Sequence, residues 1–318
     1  MSKLYIGIDT SCYTTSVACI DSKSIVLDER TVLSVPSGER GLRQSDMLFQ
    51  HDRNLPALLD RMFSSINPDD IAGVGWSKAP TADPDSYMPA FLAGILAGKA
   101  IAGARNVPKM EGTHQQGHFR AALYGNEKLM DRDSVLGFHI SGGTTDLVTI
   151  RNGECGVENI ERIGSGSDLH AGQMVDRIGV ALGCGFPCGK ELETLANKAV
   201  RRNIRIPSSV NGTDCSFSGA ETNLLNRIRS GEQEEEIAYA VYDCFARTFS
   251  KMILRAVRET GIRDVLLAGG VSSSDLLRKL LNDRINGGAE LYFGLPKLSS
   301  DNAVGIALMT EDRICRNS

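Results

Sequence analysis

Leu136-Gly-Phe-His-Ile-Ser-Gly-Gly-Thr-Thr-Asp-Leu-Val-Thr-Ile150 reads as a strand, a polar turn with two glycines and a second strand. Gly142 and Gly143 remove Cβ atoms where an anion would approach the backbone. Thr144 and Thr145 add hydroxyl donors, so the turn Ser141-Gly142-Gly143 is a candidate phosphate cradle. The simpler reading of a Gly-Gly hairpin between apolar runs is a plain turn. The stretch gains weight from Tyr5-Ile-Gly-Ile-Asp-Thr-Ser-Cys-Tyr-Thr-Thr-Ser-Val-Ala-Cys-Ile20, which repeats its order: apolar strand, small polar residues, Thr-Thr pair, strand. Such recurrence at long period marks an internal duplication. A third turn, Leu266-Leu-Ala-Gly-Gly-Val271, supplies Gly269 and Gly270. Together the three outline a nucleotide clamp, with two hairpins for phosphates and one turn for the nucleoside.

Outward from these turns, residues 4–34 read as three strands, Leu4–Ile8, Thr15–Ile20 and Ser24–Leu33. A helix follows from about Ser45 to Phe63, carrying Leu48, Leu55, Leu58, Leu59 and Met62 on one face, with Pro56 expected to bend or divide it. Then come a strand at 71–76, a small-residue helix at 87–105 and a strand at 107–110. That order resembles half of the actin, hexokinase and Hsp70 architecture. The second half repeats it, with strands at 134–150, 157–163, 264–268 and 290–293 and helices at 168–200, 219–260, 273–283 and 301–314. The expected fold is therefore α/β, an actin-like ATPase (ASKHA, ribonuclease H-like) fold of two duplicated lobes with a central cleft. The lobes are expected at 1–112 and 113–318, the second with a helical insertion at about 168–260.

The 318 residues suffice for two domains with hydrophobic cores. A hydrophobic content of 42% and a charged content of 23% are ordinary for a soluble globular chain. Met1-Ser-Lys leads into a strand and no uncharged apolar run would span a bilayer, so neither a secretory leader nor a membrane partner is expected, and the location expected is cytoplasmic. The eight cysteines are scattered without a CxxC pair, which fits reduced thiols better than a zinc site at Cys184 and Cys188. The net charge of −4 opposes nucleic-acid binding by a general basic field. Any RNA contact must be local. Arg201, Arg202 and Arg205 form the only dense basic cluster, whose plainer reading is a solvated helix end.

Between the halves lies Thr113-His-Gln-Gln-Gly-His-Phe-Arg-Ala-Ala-Leu123. His114 and His118 are four apart, so on a helix both imidazoles leave one face and can hold one cation. A surface pair or a core histidine is the plainer alternative. Asp301, before the last helix, offers a carboxylate, unless it serves only as that helix's N-cap.

In these motifs the chain resembles the TsaD family, also called Gcp, YgjD or, in archaea and eukaryotes, the Kae subunit of the KEOPS complex, and formerly filed as O-sialoglycoprotein endopeptidases. The landmarks are Ile8-Asp-Thr-Ser-Cys12, His114-x-x-Gly-His118, Ser141-Gly-Gly143 with Thr145, Ala171-Gly172 with Asp176, Pro187-x-Gly189 with Glu193, Ser216-Phe-Ser-Gly219, Ala268-Gly-Gly-Val271 and Asp301-Asn-Ala303. The resemblance implies transfer of a threonylcarbamoyl group from threonylcarbamoyl-adenylate to N6 of an adenosine beside the tRNA anticodon, releasing AMP. It implies one divalent metal on His114, His118 and Asp301 and ATP or an adenylate; nitrogen plus carboxylate ligation fits iron or zinc better than magnesium. Nucleotide contacts fall on Ser141, Gly142, Gly143, Thr144, Asp176, Gly189, Glu193, Gly269, Gly270 and Ser274, and a catalytic role on Asp9. Implied partners are tRNA and a TsaB-like paralogue or a second copy of the chain.

The chain also departs from the family pattern. Asp9 stands for a usual glutamate, Tyr13 and Thr14 for an acidic pair, Gln116 for the glutamate of HxEGH, and Thr144 for a common histidine. Leu169 replaces one aspartate of a pair, Ser274 an asparagine, and Lys78–Ser86 a Gly-Pro-Gly turn. Loss of cleft acids weakens charge stabilisation, so a catalytically altered paralogue acting as a regulatory or scaffolding subunit is the second reading. A sugar or acetate-type kinase leaves the histidine pair unexplained, and a metalloprotease lacks the glutamate that follows the first histidine in HExxH enzymes.

Overall fold

A computed structural model describes residues 3–11, 13–22, 24–36, 41–151 and 157–316. Cys12 and Cys155 lie outside the described residues. The chain forms two compact units, one of residues 1–131, 151–160 and 295–318 and the other of 132–150 and 161–294.

The first unit begins with β1 (Leu4–Ser11), β2 (Thr14–Ile20) and β3 (Ile25–Val32), followed by α1 (Gln44–Ser65), β4 (Ile71–Ser77), α2 (Leu92–Arg105), β5 (Lys109–Gly112) and α3 (His114–Leu123). Its sheet has the order β3-β2-β1-β4-β5, antiparallel through β3-β2-β1 and parallel from β1 to β4 and β5. Every residue of β1 is buried, as a strand covered on both faces requires. Leu55, Leu58 and Met62 of α1 pack with Ile6, Ile8 and Trp76, the core the apolar spacing predicts. Pro56 stands inside α1 without dividing it. It is exposed, so water can take the carbonyl its missing N–H leaves unpaired.

The second unit holds β6 (Ser134–Ile140), β7 (Thr145–Arg151), β8 (Asn159–Ser165), α4 (Ala171–Ala181), α5 (Gly189–Ala196), a short hairpin of β9 (Ser209–Asn211) and β10 (Asp214–Ser216), α6 (Ser218–Arg229), α7 (Glu234–Thr260), β11 (Asp264–Ala268), α8 (Asp275–Ile285) and β12 (Glu290–Phe293). Strand order β8-β7-β6-β11-β12 repeats the first sheet, so the duplication read from the two Thr-Thr motifs is a duplication of topology. The stretches 168–200 and 219–260 each hold two helices. Gly183 and Pro187 interrupt the first, and Gly231, at φ 76°, breaks the second.

Two last elements, α9 (Pro296–Ser299) and α10 (Val304–Arg316), return to the first unit, which also holds α3. Glycine makes this packing close. A Cβ on Gly7 would stand 2.3 Å from the Ala303 carbonyl oxygen, and one on Gly305 would stand 1.8 Å from that of Gly117 in α3. Both obstacles are backbone, which cannot swing aside. Gly305→Ala is expected to destabilise the protein by about 2–3 kcal/mol, read as a lower midpoint in urea unfolding, because overpacking costs this much where neighbours cannot relax.

Candidate metal centre and glycine turns

Thr113 starts α3 with a capping box. Its hydroxyl accepts from the Gln116 N–H at 3.2 Å, and the Thr113 N–H donates to Gln116 Oε1 at 2.8 Å. Glutamate and glutamine serve this position equally, so Gln116 fills a capping role rather than a ligand role. The segment beginning at Lys78 completes the helix start, since the His114 and Gln115 N–H groups donate to the carbonyls of Ala79 and Pro80, each at 2.9 Å. These are two of the donors that a helix N-terminus leaves without an intrahelical partner.

The first two turns of α3 therefore present His114 and His118 together, with ring centroids 4.4 Å apart. His114 Nε2 and His118 Nε2 are 3.0 Å apart, and Asp301 Oδ1 lies 3.3 Å from His118 Nε2 and 3.5 Å from His114 Nε2. Three donors about 2.0–2.2 Å from one ion, at tetrahedral or octahedral angles, are separated by about 3.0–3.5 Å. The observed triangle has that size. Among the described residues this is the one group of three or more His, Cys, Asp or Glu side chains able to share an ion.

Asp301 is free for this task because its neighbour caps the helix. Asn302 Oδ1 accepts the N–H groups of Val304 at 3.0 Å and Gly305 at 3.4 Å, which displaces the N-cap reading of Asp301. Arg30 of β3, held by Asp28, fixes the same segment through Ser300 Oγ at 2.9 Å and the Asp301 carbonyl at 3.3 Å.

Asp9 sits behind the triangle. Its Oδ2 lies 2.8 Å from His114 Nδ1, on the ring edge away from Asp301, and the carboxylate is buried. A carboxylate there keeps the proton on Nδ1 and leaves the Nε2 lone pair for a cation. Asp9 is thus a positioning residue for His114. Burial alone would lower the His114 pKa, but the carboxylates of Asp9 and Asp301 outweigh it and hold the metal-free imidazole up to about 10. Burial and the neighbouring His114 push His118 down. Asp301 is held well below the carboxylate range by its bonds to both rings, against the opposing effect of burial.

The other expected residues belong to the second unit. Ser141 and Thr144 close the β6–β7 turn, with the Ser141 N–H donating to the Thr144 carbonyl at 2.8 Å. Gly142 and Gly143 are exposed, and a Cβ on either would meet nothing within 4 Å. The turn is fixed to α4. The Ala171 N–H donates to Thr145 Oγ1 at 2.9 Å, and a Cβ on Gly172 would stand 2.6 Å from the Ser141 carbonyl oxygen. Thr145, singled out only as part of the motif, is the residue that ties strand to helix.

Gly269 has φ 93° and lies against the Ile140 carbonyl, so its turn abuts the end of β6, while Gly270 next to it is open. Ser274 caps α8, accepting from the Leu277 N–H at 3.1 Å. Glu193 Oε1 takes the Ser274 hydroxyl and the Leu276 N–H, each at 2.8 Å. Asp176 Oδ1 takes the Cys188 N–H at 2.9 Å beside Gly189, and burial raises its pKa. Glu193 and Ser274 are therefore brought together, as are Asp176 and Gly189, and each pair also holds a helix start. The described cysteines are free thiols, and burial pushes Cys188 up to about 12, which disfavours the thiolate a metal would need.

These features define an α/β protein of the actin-like class whose first unit converges two imidazoles and a carboxylate. Solved structures agree on the fold. HypF from T. kodakarensis superposes with a TM-score of 0.62 at 14% identity, covering 98% of this chain and 49% of that one. Component A of (R)-2-hydroxyglutaryl-CoA dehydratase from Acidaminococcus fermentans gives 0.58 at 16% identity over 99% and 100% of the two chains. A ROK family glucokinase from Streptomyces griseus gives 0.55 at 11% identity over 97% and 98%.

Sequence narrows the class. The chain belongs to the TsaD family, described as tRNA N6-adenosine threonylcarbamoyltransferase, whose pattern matches residues 46–308. Proteins of that description from Methanopyrus kandleri and Thermococcus gammatolerans are 27% and 28% identical over 309 residues, covering 95% of this chain and 85% and 89% of theirs.

Two outcomes test the centre. His118→Ala and Asp301→Ala are each expected to lose a bound zinc or iron ion in metal analysis, whereas Asp9→Asn retains it with affinity lowered about 10–100-fold, as loss of an outer partner does. Because His114 holds its second proton up to about 10 in the metal-free protein, a metal must displace that proton near neutral pH. Zinc titration of stripped protein by calorimetry in two buffers of different ionisation enthalpy is expected to release about one proton per ion, and affinity to rise with pH.

Proposed function

We propose that this protein transfers a threonylcarbamoyl group from threonylcarbamoyl-adenylate to N6 of an adenosine in tRNA, with a divalent metal on His114, His118 and Asp301. The observation that carries the reading is the convergence of the three donor atoms within 3.5 Å, with Asp9 fixing the His114 ring behind them. Two nitrogens and one oxygen suit iron or zinc better than magnesium, which prefers oxygen ligands and its own water. When bound, such an ion supplies a Lewis acid for a phosphate or carboxylate oxygen.

The chain's own groups do the rest. Ser141, Gly142, Gly143 and Thr144 offer backbone N–H groups and hydroxyls to an adenylate phosphate, at a turn where no Cβ obstructs approach. Asp176, Gly189, Glu193, Gly269, Gly270 and Ser274 are assigned to the nucleoside. An exocyclic adenine amine is a weak nucleophile, so positioning both reactants supplies the greater part of the acceleration. Pairing with a TsaB-like paralogue or a second copy is supported by Phe49 on α1 and by Leu92 and Leu96 on α2, large apolar side chains left exposed in the first unit. No helix among the described residues is long and apolar enough to cross a membrane, which fits action on tRNA in the cytoplasm.

The second reading, a subunit that holds nucleotide and metal without transferring, is favoured by Tyr13 and Thr14, which stand where the family has an acidic pair. Complementation of a strain lacking its TsaD separates the two, with tRNA nucleosides read by mass spectrometry. The transferase reading expects threonylcarbamoyladenosine with the parent chain and a loss of at least about a hundredfold with His114→Ala. Absence of the nucleoside with the parent chain favours the subunit reading.

A further inference from the structure

We propose that residues 198–205 of the second unit form a phosphate-contacting surface for the RNA acceptor, with Lys198, Arg201 and Arg205 each meeting a backbone phosphate. The inference rests on the tRNA reading and adds to it the surface that holds the RNA. A chain of net charge −4 cannot gather RNA by its overall field, so the contact must be concentrated where cations are dense. This segment carries the densest such group, and it is not a helix end. It runs without regular structure from the end of α5 to β9.

Irregular as it is, the segment is held at many points. Ile204 and Ile206 are buried in the core. The Glu236 carboxylate of α7 takes three successive N–H groups, those of Val200, Arg201 and Arg202, at 2.9, 2.7 and 2.6 Å. Arg247 donates to the Ile206 carbonyl at 2.6 Å. Arg202 is used in the fold, its Nε donating to the Ala199 carbonyl at 3.2 Å and its guanidinium lying 4.8 Å from the centre of the Tyr239 ring. Lys198, Arg201 and Arg205 are exposed and enter no ion pair among the described residues.

Glu236 is an acid directly under the segment, yet its oxygens are engaged by those three donors. It is buried, yet its charge acts on Arg201, and the exposed Glu234 opens the same helix, so part of the segment's positive charge is offset. Val200, 89% exposed, forms an apolar tip between them, a surface for a ribose or base face. A loop already ordered by its own hydrogen bonds binds without the entropy cost of ordering. Charge, apolar tip and rigidity together fit a nucleic-acid backbone better than an acidic peptide, which has no need of a flat apolar contact.

The test is fluorescence anisotropy of a labelled, unmodified tRNA transcript titrated with the full chain between 50 and 200 mM salt, as is usual for phosphate contacts. Arg201→Glu/Arg205→Glu is expected to weaken binding about tenfold or more and to lower the slope of log affinity against log salt by about 2. A double variant of equal charge change elsewhere on the same unit, Arg258→Glu/Lys279→Glu, is the control. Arg201→Gln/Arg205→Gln repeats the test without added acids, and circular dichroism checks folding. Equal loss in the loop and control variants overturns the surface while leaving the tRNA reading intact. Failure of the parent chain to bind tRNA at the lowest salt overturns both, with metal content reporting separately on the histidine centre.

Discussion

The backbone contact between Gly305 of α10 and the Gly117 carbonyl of α3 governs the first unit. One side of the metal triangle rides on α3 and the other precedes α10, so the distance between these helices sets the distance between imidazole and carboxylate. A single methyl at the contact would stand 1.8 Å from the Gly117 carbonyl oxygen, so the backbone there would have to shift. Gly7 lets the same helix lie against β1, the strand that carries Asp9. Three glycines in three elements thereby hold four side chains in register, and none of the three touches a ligand atom.

Most departures from the family pattern acquire a local explanation. Gln116 answers the capping requirement of α3 as a glutamate would, and Ser274 does so for α8. Leu169 is buried in the core of the second unit, while Asp168 beside it collects the N–H groups of Phe217 and Ser218 and the hydroxyls of Ser216 and Ser218. The segment starting at Lys78 supplies carbonyls to the first donors of α3. These residues keep helix ends and packing intact with altered charge. Tyr13 and Thr14 receive no such account, and nothing in the structure explains the change from an acidic pair.

The fold was legible because it is written twice. Strand, Thr-Thr turn and strand recur at both unit starts, and period-two and small-residue patterns distinguish strands from helices without knowledge of partners. The donor cluster was legible in part. His114 and His118 declare themselves by spacing, but Asp301 is far away in sequence and next to Asn302, which is as good a cap, so which of the two ligates depends on the approach of α10. Asp9 carried no signal for its link to His114, a pairing of two residues 105 apart in sequence. The breaks inside 168–200 and 219–260 were readable from Gly183, Pro187 and Gly231, the second also from the run 229–236, which carries no apolar residue. Assignment of 113–131 and 295–318 to the first unit was hidden for another reason: contacts between segments distant in sequence leave no trace in local periodicity.

The division of work between Asp301 and Asn302 has an evolutionary consequence. An aspartate that had to close the helix could not also turn its oxygen toward the imidazoles, so any change in ion preference would perturb folding. With an amide next door bearing the structural duty, the carboxylate can be exchanged for another donor, or its reach adjusted, while α10 keeps its start. The chemistry of the donor cluster and the integrity of the scaffold are thus decoupled at adjacent positions, which leaves selection free to retune one without eroding the other.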